Sequence, residues 1–475
     1  MRKSSTSDLE ESERAVRMSG KRRTAIVGLA VLLAAVGFSL VHANVASAQV
    51  AVTVTPPADV NTVGTPHTVT IRVTGCAFPN LTCAGVKGSI TITGGGTPVP
   101  ASGGFTTNTA GQATFTFTNT VAVTNTITAR VNPSGPSGTA TKTWVAGPPA
   151  SITLLPSKDT NVVGEPHTVT ATVRDQYGNP VPGDPVTFTV SGGTPTPPGG
   201  MSPTNTAGQA TFTYTNTVVG TDTITAREAI GGRTATAAKT WIAGPPARLT
   251  LSPPSATNPV GTQHCVTALV TDVYGNPRGK VTVRFSVTGS VTTTGSAMTD
   301  DSGRATFCYI GPPLPGADSI RAFADTNNNG MQDAGEPFGM ATKTWVLPVS
   351  TPGCEVKITN GGWIIARNGD RSSFGGNAKV DADGNVSGNE EYQDHGPAQP
   401  MNLHGNVLVV VCNSATSATI YGQATIDGTT YYYRLNVEDN AEPGKGADKY
   451  WMLVGNGYDS GNQILQGGNV QVHKT

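Results

Sequence analysis

The stretch Gly164-Glu-Pro-His-Thr-Val-Thr-Ala-Thr-Val-Arg-Asp-Gln-Tyr-Gly-Asn-Pro180 holds two signals in succession. Val169, Ala171 and Val173 alternate with Thr170, Thr172 and Arg174, which places one face in a core and one in water, as in a half-buried antiparallel strand. Asp175-Gln-Tyr-Gly-Asn-Pro180 then stops the strand with turn-forming residues, and Val186-Thr-Phe-Thr-Val190 resumes the alternation. No comparable stretch between 49 and 475 has helical periodicity. The composition agrees: 58 Gly, 34 Pro and only 13% charged residues leave a chain rich in Thr, Val, Asn and Ser, the residues of strands and turns.

Outward from this stretch the pattern repeats. Gly64-Thr-Pro-His-Thr-Val-Thr70 precedes it and Gly261-Thr-Gln-His-Cys-Val-Thr267 follows it. Asn108-Thr-Ala-Gly-Gln-Ala-Thr-Phe-Thr-Phe117 returns as Asn205-Thr-Ala-Gly-Gln-Ala-Thr-Phe-Thr-Tyr214 and, more loosely, as Asp300-Asp-Ser-Gly-Arg-Ala-Thr-Phe-Cys-Tyr309. Each unit closes on Lys-Thr-Trp, at Trp144, Trp241 and Trp345. A period of roughly 100 residues is a whole β-sandwich and far longer than a solenoid unit. The expected organisation is all-β: a signal peptide at 1–48, Ig-like repeats at 49–147, 148–244 and 245–350, and a C-terminal β-barrel or sandwich at 351–475.

The leader is read from seven basic residues ahead of the apolar run Ala25 to Val41, with Ala46-Ser47-Ala48 as a small-x-small cleavage site. Removing it takes seven of 31 basic and four of 31 acidic residues, leaving 24 against 27. That balance argues against nucleic-acid binding, which needs a basic stripe. Membrane contact is expected only through the leader, if it stays uncleaved.

All six cysteines, Cys76, Cys83, Cys265, Cys308, Cys354 and Cys412, lie beyond the leader, and an even count in an exported chain implies disulfides. Cys265 stands where the other repeats have Thr68 and Thr168, and Cys308 where they have Thr116 and Thr213. Both positions changed together, so those side chains should touch. Cys76 and Cys83 flank a loop peculiar to repeat one, which leaves Cys354 for Cys412.

Asp175-Gln-Tyr-Gly-Asn-Pro-Val-Pro-Gly183, Val186-Thr-Phe-Thr-Val190, the later Thr-x-x-Gly-x-Ala and Asp222-Thr-Ile-Thr-Ala226 resemble the bacterial Ig-like group 1 domain known from invasin and intimin. The resemblance is sharpest in repeat two and persists in Asp272-Val-Tyr-Gly-Asn-Pro277. Repeat one departs, with Thr74-Gly-Cys-Ala-Phe-Pro-Asn-Leu-Thr-Cys83 in place of the turn. It implies extracellular spacer or adhesion modules without catalysis. Gly147-Pro-Pro-Ala150 and Gly244-Pro-Pro-Ala247 link the units, and paired prolines keep such links extended. Sparse charge offers little else to join neighbouring sandwiches.

One constellation has specific chemistry. Asp325-Thr-Asn-Asn-Asn-Gly-Met-Gln-Asp-Ala-Gly-Glu336 matches a twelve-residue calcium loop, with Asp325, Asn327, Asn329, the Met331 carbonyl, Asp333 and Glu336 as oxygen ligands and Gly330 at the sharp turn. A structural Ca2+ is the expected cofactor, on strand rather than helix flanks. His67, His167 and His264 recur at one position and read as packing residues.

From residue 351 the repeat stops and aromatics increase. Gly361-Gly-Trp-Ile364, Phe374-Gly375, Glu391-Tyr-Gln-Asp-His395, Glu442-Pro-Gly444 and Gly467-Gly-Asn-Val-Gln-Val-His-Lys474 resemble the post-COAP-1 domain of exported bacterial proteins, which carries no established activity. Glu390, Glu391, Asp394, His395, His404 and His473 read as polar residues at turns and strand ends. The functional expectation is a secreted or cell-surface stalk of non-catalytic structural or adhesive character. Its partner would be a cell-wall or extracellular glycan or a surface protein. The alternative is a carbohydrate-binding or hydrolytic C-terminal domain on a passive stalk, which an open strip of Trp363, Tyr431, Tyr433 and Trp451 would favour.

Overall fold

The computed structural model describes residues 49–77, 80–350 and 353–474. The leader expected at 1–48 lies outside them. The described residues form strands and turns without a helix.

Repeat two shows how the alternation is used. Its strands Gln209–Tyr214, His167–Asp175 and Pro149–Leu155 make a three-stranded antiparallel sheet. Lys158–Val162, Thr234–Ile242, Gly220–Glu228, Pro185–Ser191 and Gly199–Pro203 make a five-stranded one, with its first pair parallel. Val169, Ala171 and Val173 point inward against Val186, Phe188, Ile224 and Ala226. Repeats one and three have the same three-plus-five arrangement.

The Lys-Thr-Trp signature fills the centre of each core. Trp241 is buried, donates its indole N–H to Asp222 Oδ2 at 2.7 Å and meets Tyr214 edge-to-face at 5.8 Å. Trp144 does the same with Asn125 and Phe117, and Trp345 with Asp318 and Tyr309. The lysine two residues earlier is fully buried in all three, with its ammonium over the indole ring.

That lysine marks a difference between repeats. Lys142 and Lys239 each bond an aspartate, Asp59 and Asp159, at 2.6 Å, and His67 and His167 reach the same carboxylates at 3.2 Å. Repeat three has Ala256 at that register position, directly opposite Lys343. The Lys343 ammonium is buried without a hydrogen-bond partner, and burial pulls its pKa below the ordinary lysine value. An unsatisfied buried donor costs stability. Ala256→Asp, which copies the arrangement of repeat two, is expected to raise the melting temperature of repeat three by on the order of 5 °C, read from the thermal transition of the full chain.

The C-terminal domain is one curled antiparallel sheet of nine strands. In spatial order these are Gln463–Ile464, Lys449–Val454, Thr429–Glu438, Ser417–Ile426, Met401–Cys412, Val386–Asp394, Arg371–Val380, Val356–Ile365 and Gly467–Lys474. Its interior is a single apolar core running from Val356 to Val470. Outside that core Tyr421, Val409 and Val411 pack with Leu347 against the core of repeat three.

Candidate functional site: the joints, the acidic loop and an open sheet face

The turn that opened the sequence reading is the joint between repeats one and two. Asp175 Oδ1 accepts the backbone N–H groups of Tyr177 and Asn179, each at 2.9 Å, which shapes the turn. Asp175 Oδ2 accepts the N–H of Gly147 in the linker at 2.9 Å. Asn179 grips a loop of repeat one with both ends of its amide: Nδ2 donates to the Thr120 carbonyl and Oδ1 accepts the Ala122 N–H, both at 2.9 Å. The Tyr177 hydroxyl covers Gly64, where a Cβ would collide with it. Asp175 and Asn179 are buried.

The second joint repeats the first group for group. Asp272 accepts from Gly244 at 3.0 Å, Asn276 bonds the Thr217 carbonyl at 2.8 Å and the Val219 N–H at 3.2 Å, and the Tyr274 hydroxyl covers Gly164. The expectation that little besides the prolines joins the sandwiches is therefore corrected. The joint needs few charges because one carboxylate and one amide satisfy backbone groups that would otherwise be buried unpaired.

The acidic loop lies on the hairpin between strands Gly316–Asp325 and Phe338–Val346. Asp325 and Glu336 are both buried at its base. Asp325 pairs with Arg284, whose hydrogen bond helps hold the carboxyl below its ordinary pKa against the opposing effect of desolvation. It also accepts the N–H groups of Asn329 and Gly330 at 3.1 and 3.0 Å. Glu336 accepts from Thr326 and Asp333, and the Asn327 and Asn329 amides donate to Asp333 at 2.6 and 2.7 Å. Met331 is exposed. Among the described residues no group of three or more His, Cys, Asp or Glu side chains is arranged to hold a metal ion. Asn327, Asn329 and the Met331 carbonyl would have to supply the balance.

The cysteines are joined as Cys76–Cys83, Cys265–Cys308 and Cys354–Cys412. Cys265 and Cys308 are register partners on adjacent strands, as Thr68 and Thr116 are, and Thr168 and Thr213. The three recurring histidines are buried, and burial holds each imidazole below its ordinary pKa.

In the C-terminal domain the polar residues divide by strand parity. Glu390 is buried in the middle of its strand rather than at an end, Asp394 is buried at the strand's last position as expected, and Glu391 and Gln393 face out. The aromatic strip does not form, because Tyr433 is buried and Tyr431 packs on the same core. Trp363 and Trp451 do lie on the outer side, each with a guanidinium over its ring, Arg371 at 4.7 Å and Arg434 at 5.4 Å. Gly361 and Gly375 are register partners with open space where a Cβ would stand. Beside them Glu391 and His404 approach to 3.4 Å, and a shallow cavity of about 400 Å³ opens over Ser373, Gly375, Gln393 and Asn402.

Sandwiches joined in this way form a tandem array of Ig-like β-sandwiches. Residues 163–242, the second sandwich, match the family described as bacterial Ig-like domain (group 1). It is 33% identical over 214 residues to the inverse autotransporter adhesin YeeJ of Escherichia coli K12, an alignment covering 42% of this chain and 9% of that protein. Among solved structures, the Escherichia coli adhesin FdeC aligns over 62% of this chain and 97% of its own, at 18% identity and a TM-score of 0.38. Invasin, a bacterial integrin-binding protein, aligns over 83% of this chain and 81% of its own at 16% identity and a TM-score of 0.35.

Proposed function

We propose that this chain is a non-catalytic bacterial surface or secreted stalk, whose three Ig-like repeats hold the C-terminal domain at a set distance for adhesion. The observation that carries the reading is the polar joint, repeated group for group on both sides of repeat two. A chain built to vary its shape would not satisfy the same buried groups twice. Adhesion in the named relatives supports a cell-surface or extracellular location and a surface partner. Small-angle scattering on residues 49–475 is expected to give a maximum dimension of roughly 120–150 Å, from strands of eight to ten residues at ~3.4 Å each, end to end. A compact particle would reject the spacer.

A glycan is the second reading of the partner, supported by the outer face of the C-terminal sheet. Its glycine floor leaves room for a ring, and Glu391, His404, Gln393 and Asn402 offer the donors and acceptors that orient a polar ligand. Glycan-array binding that disappears in a Glu391→Ala and His404→Ala double variant would support it. Equal binding by the variant would remove it.

We further propose that the loop 325–336 takes a calcium ion, which would bridge its oxygen atoms and stiffen the hairpin. The residues fit in type, since oxygen ligands suit a hard cation. For the ion to enter, Arg284 must release Asp325, and the two Asn side chains must turn their oxygens toward it. Calcium is expected to raise the melting temperature of repeat three, by the equivalent of about 2.7 kcal/mol at a hundredfold excess over the dissociation constant. The shift should vanish in Asp325→Ala and in Glu336→Ala. Identical melting with calcium and with chelator would eliminate the site.

A further inference from the structure

The two joints use one set of groups, but the three repeats do not all carry both halves. The upper half is Asp-x-Tyr-Gly-Asn, present in repeat two as 175–179 and in repeat three as 272–276. Repeat one has the Cys76–Cys83 loop there instead. The lower half is a pair of backbone N–H donors, a carbonyl and a bare glycine. Repeat one offers Ala122, Gly147, Thr120 and Gly64, and repeat two offers Val219, Gly244, Thr217 and Gly164.

Repeat three breaks the lower half at both donors. The Gly64 and Gly164 N–H groups bond the Asn119 and Asn216 carbonyls, and the Gly261 N–H bonds Pro312, which aligns the three loops. Three residues further on stand Ala122, Val219 and Pro315. Three residues after the core tryptophans stand Gly147, Gly244 and Pro348. Proline has no N–H, so both donors that receive the plug are deleted together. At that end Leu347 and apolar residues of the C-terminal sheet make the contact instead, and no tyrosine covers Gly261.

We infer that these groups form a joining code, a plug on the upper end and a socket on the lower, and that any socket accepts any plug. Repeat one is socket only, repeat two has both, and repeat three is plug only. Repeat two is then a self-compatible middle unit. The kind of partner that fits the socket is another Ig-like repeat bearing Asp-x-Tyr-Gly-Asn. The linkers carry the same logic: removing 148–244 joins Gly147 to Pro245 and restores Gly-Pro-Pro-Ala without a scar. The inference concerns how repeats join and is independent of what the chain adheres to.

The test reads joint geometry directly in the full chain. Spin labels placed by non-cysteine chemistry at Thr223 and Thr288, on the five-stranded sheets of repeats two and three, report the native joint as a distance distribution by pulsed dipolar spectroscopy. Deleting 148–244 and moving the first label to Thr126, the equivalent residue of repeat one, should reproduce that distribution. Copying the prolines of repeat three into repeat two, as Val219→Pro with Gly244→Pro, should broaden it about twofold, because unclamped domains move independently. Thermal melting of each repeat checks that the cores stay folded. If the deletion variant fails to fold, the double proline variant decides alone. A narrow distribution in the double proline variant, or a broad one in a folded deletion variant, overturns the code.

Discussion

Trp241→Ala is expected to take about 3–5 kcal/mol of stability from repeat two while the cores of repeats one and three keep theirs. The substitution removes the largest buried side chain of that core together with its edge-to-face contact to Tyr214. It also leaves Asp222 Oδ2 without the indole donor and Lys239 without the ring beneath its ammonium. Truncating a buried tryptophan to alanine costs about 3–5 kcal/mol, and a domain of this size has only about 5–15 kcal/mol in total. Losing one of the two donors to a buried carboxylate oxygen, which keeps only the Asn216 amide, adds to the loss. Trp241→Phe keeps most of the volume and loses the donor, so it should cost roughly 1–3 kcal/mol. Limited proteolysis should cut Trp241→Ala within 148–244, and urea denaturation should rank the variants as parent, Phe, Ala. A Trp241→Ala chain within about 1 kcal/mol of the parent would mean that the tryptophan is not the centre of the core.

Much of this fold is legible in the sequence because the physics is local. A strand with one wet face must alternate, so Val169, Ala171 and Val173 announce their burial two residues at a time. Comparison of repeats extends this, since Cys265 and Cys308 replace two threonines that face each other across a register pair. The joints were not legible in that way. Asn179 and Asn276 each bond backbone atoms 59 residues earlier, and a backbone carbonyl or N–H has no letter in the sequence. The Asp-x-Tyr-Gly-Asn turn therefore reads as a strand-ending turn, which it is, while its outward groups belong to the neighbouring domain. One signal was available: Gly147 and Gly244 become Pro348, and Ala122 and Val219 become Pro315, where the following domain changes type. In the C-terminal domain the parity of Val386–Asp394 places Glu390 inside, but composition argues the other way because glutamate normally stays in water.

That inward glutamate sets the pH response of the C-terminal domain, which is expected to be more stable at pH 5 than at pH 8. Glu390 is 1% exposed, and no cation among the described residues contributes to its titration. Its oxygens accept from the Tyr450 hydroxyl at 2.8 Å and the Asn360 amide at 3.0 Å. Burial pushes its pKa up to about 7 and the nearby Glu391 charge adds to the rise, while the bonds from Asn360 and Tyr450 oppose it. In the unfolded chain the group titrates near 4.5. Between those values the native state holds a proton that the unfolded chain has released. Stability from the neutral carboxyl is complete below pH 4.5 and is lost as the pH rises through about 7. The loss amounts to about 3 kcal/mol at 1.36 kcal/mol per unit. Asp394 acts in the opposite sense, because its pKa is lowered, but its contribution is lost only in more acid solution and lies outside this window. The neutral form also suits the site: Asn360 Oδ1 is buried without a partner, and a turned amide could accept the proton of a carboxylic acid there. Glu390→Gln supplies a permanently neutral donor and acceptor of the same shape. It should flatten the pH profile and stabilise the domain at pH 8 by about 3 kcal/mol, while matching the parent at pH 5. Urea midpoints of the C-terminal transition at pH 5, 6, 7 and 8, in the parent and in Glu390→Gln, measure this directly. The histidines of the domain are common to both chains, so the difference between the two curves isolates residue 390. Parallel curves would show that Glu390 titrates in the folded domain as it does in the unfolded chain, and would reject the raised pKa.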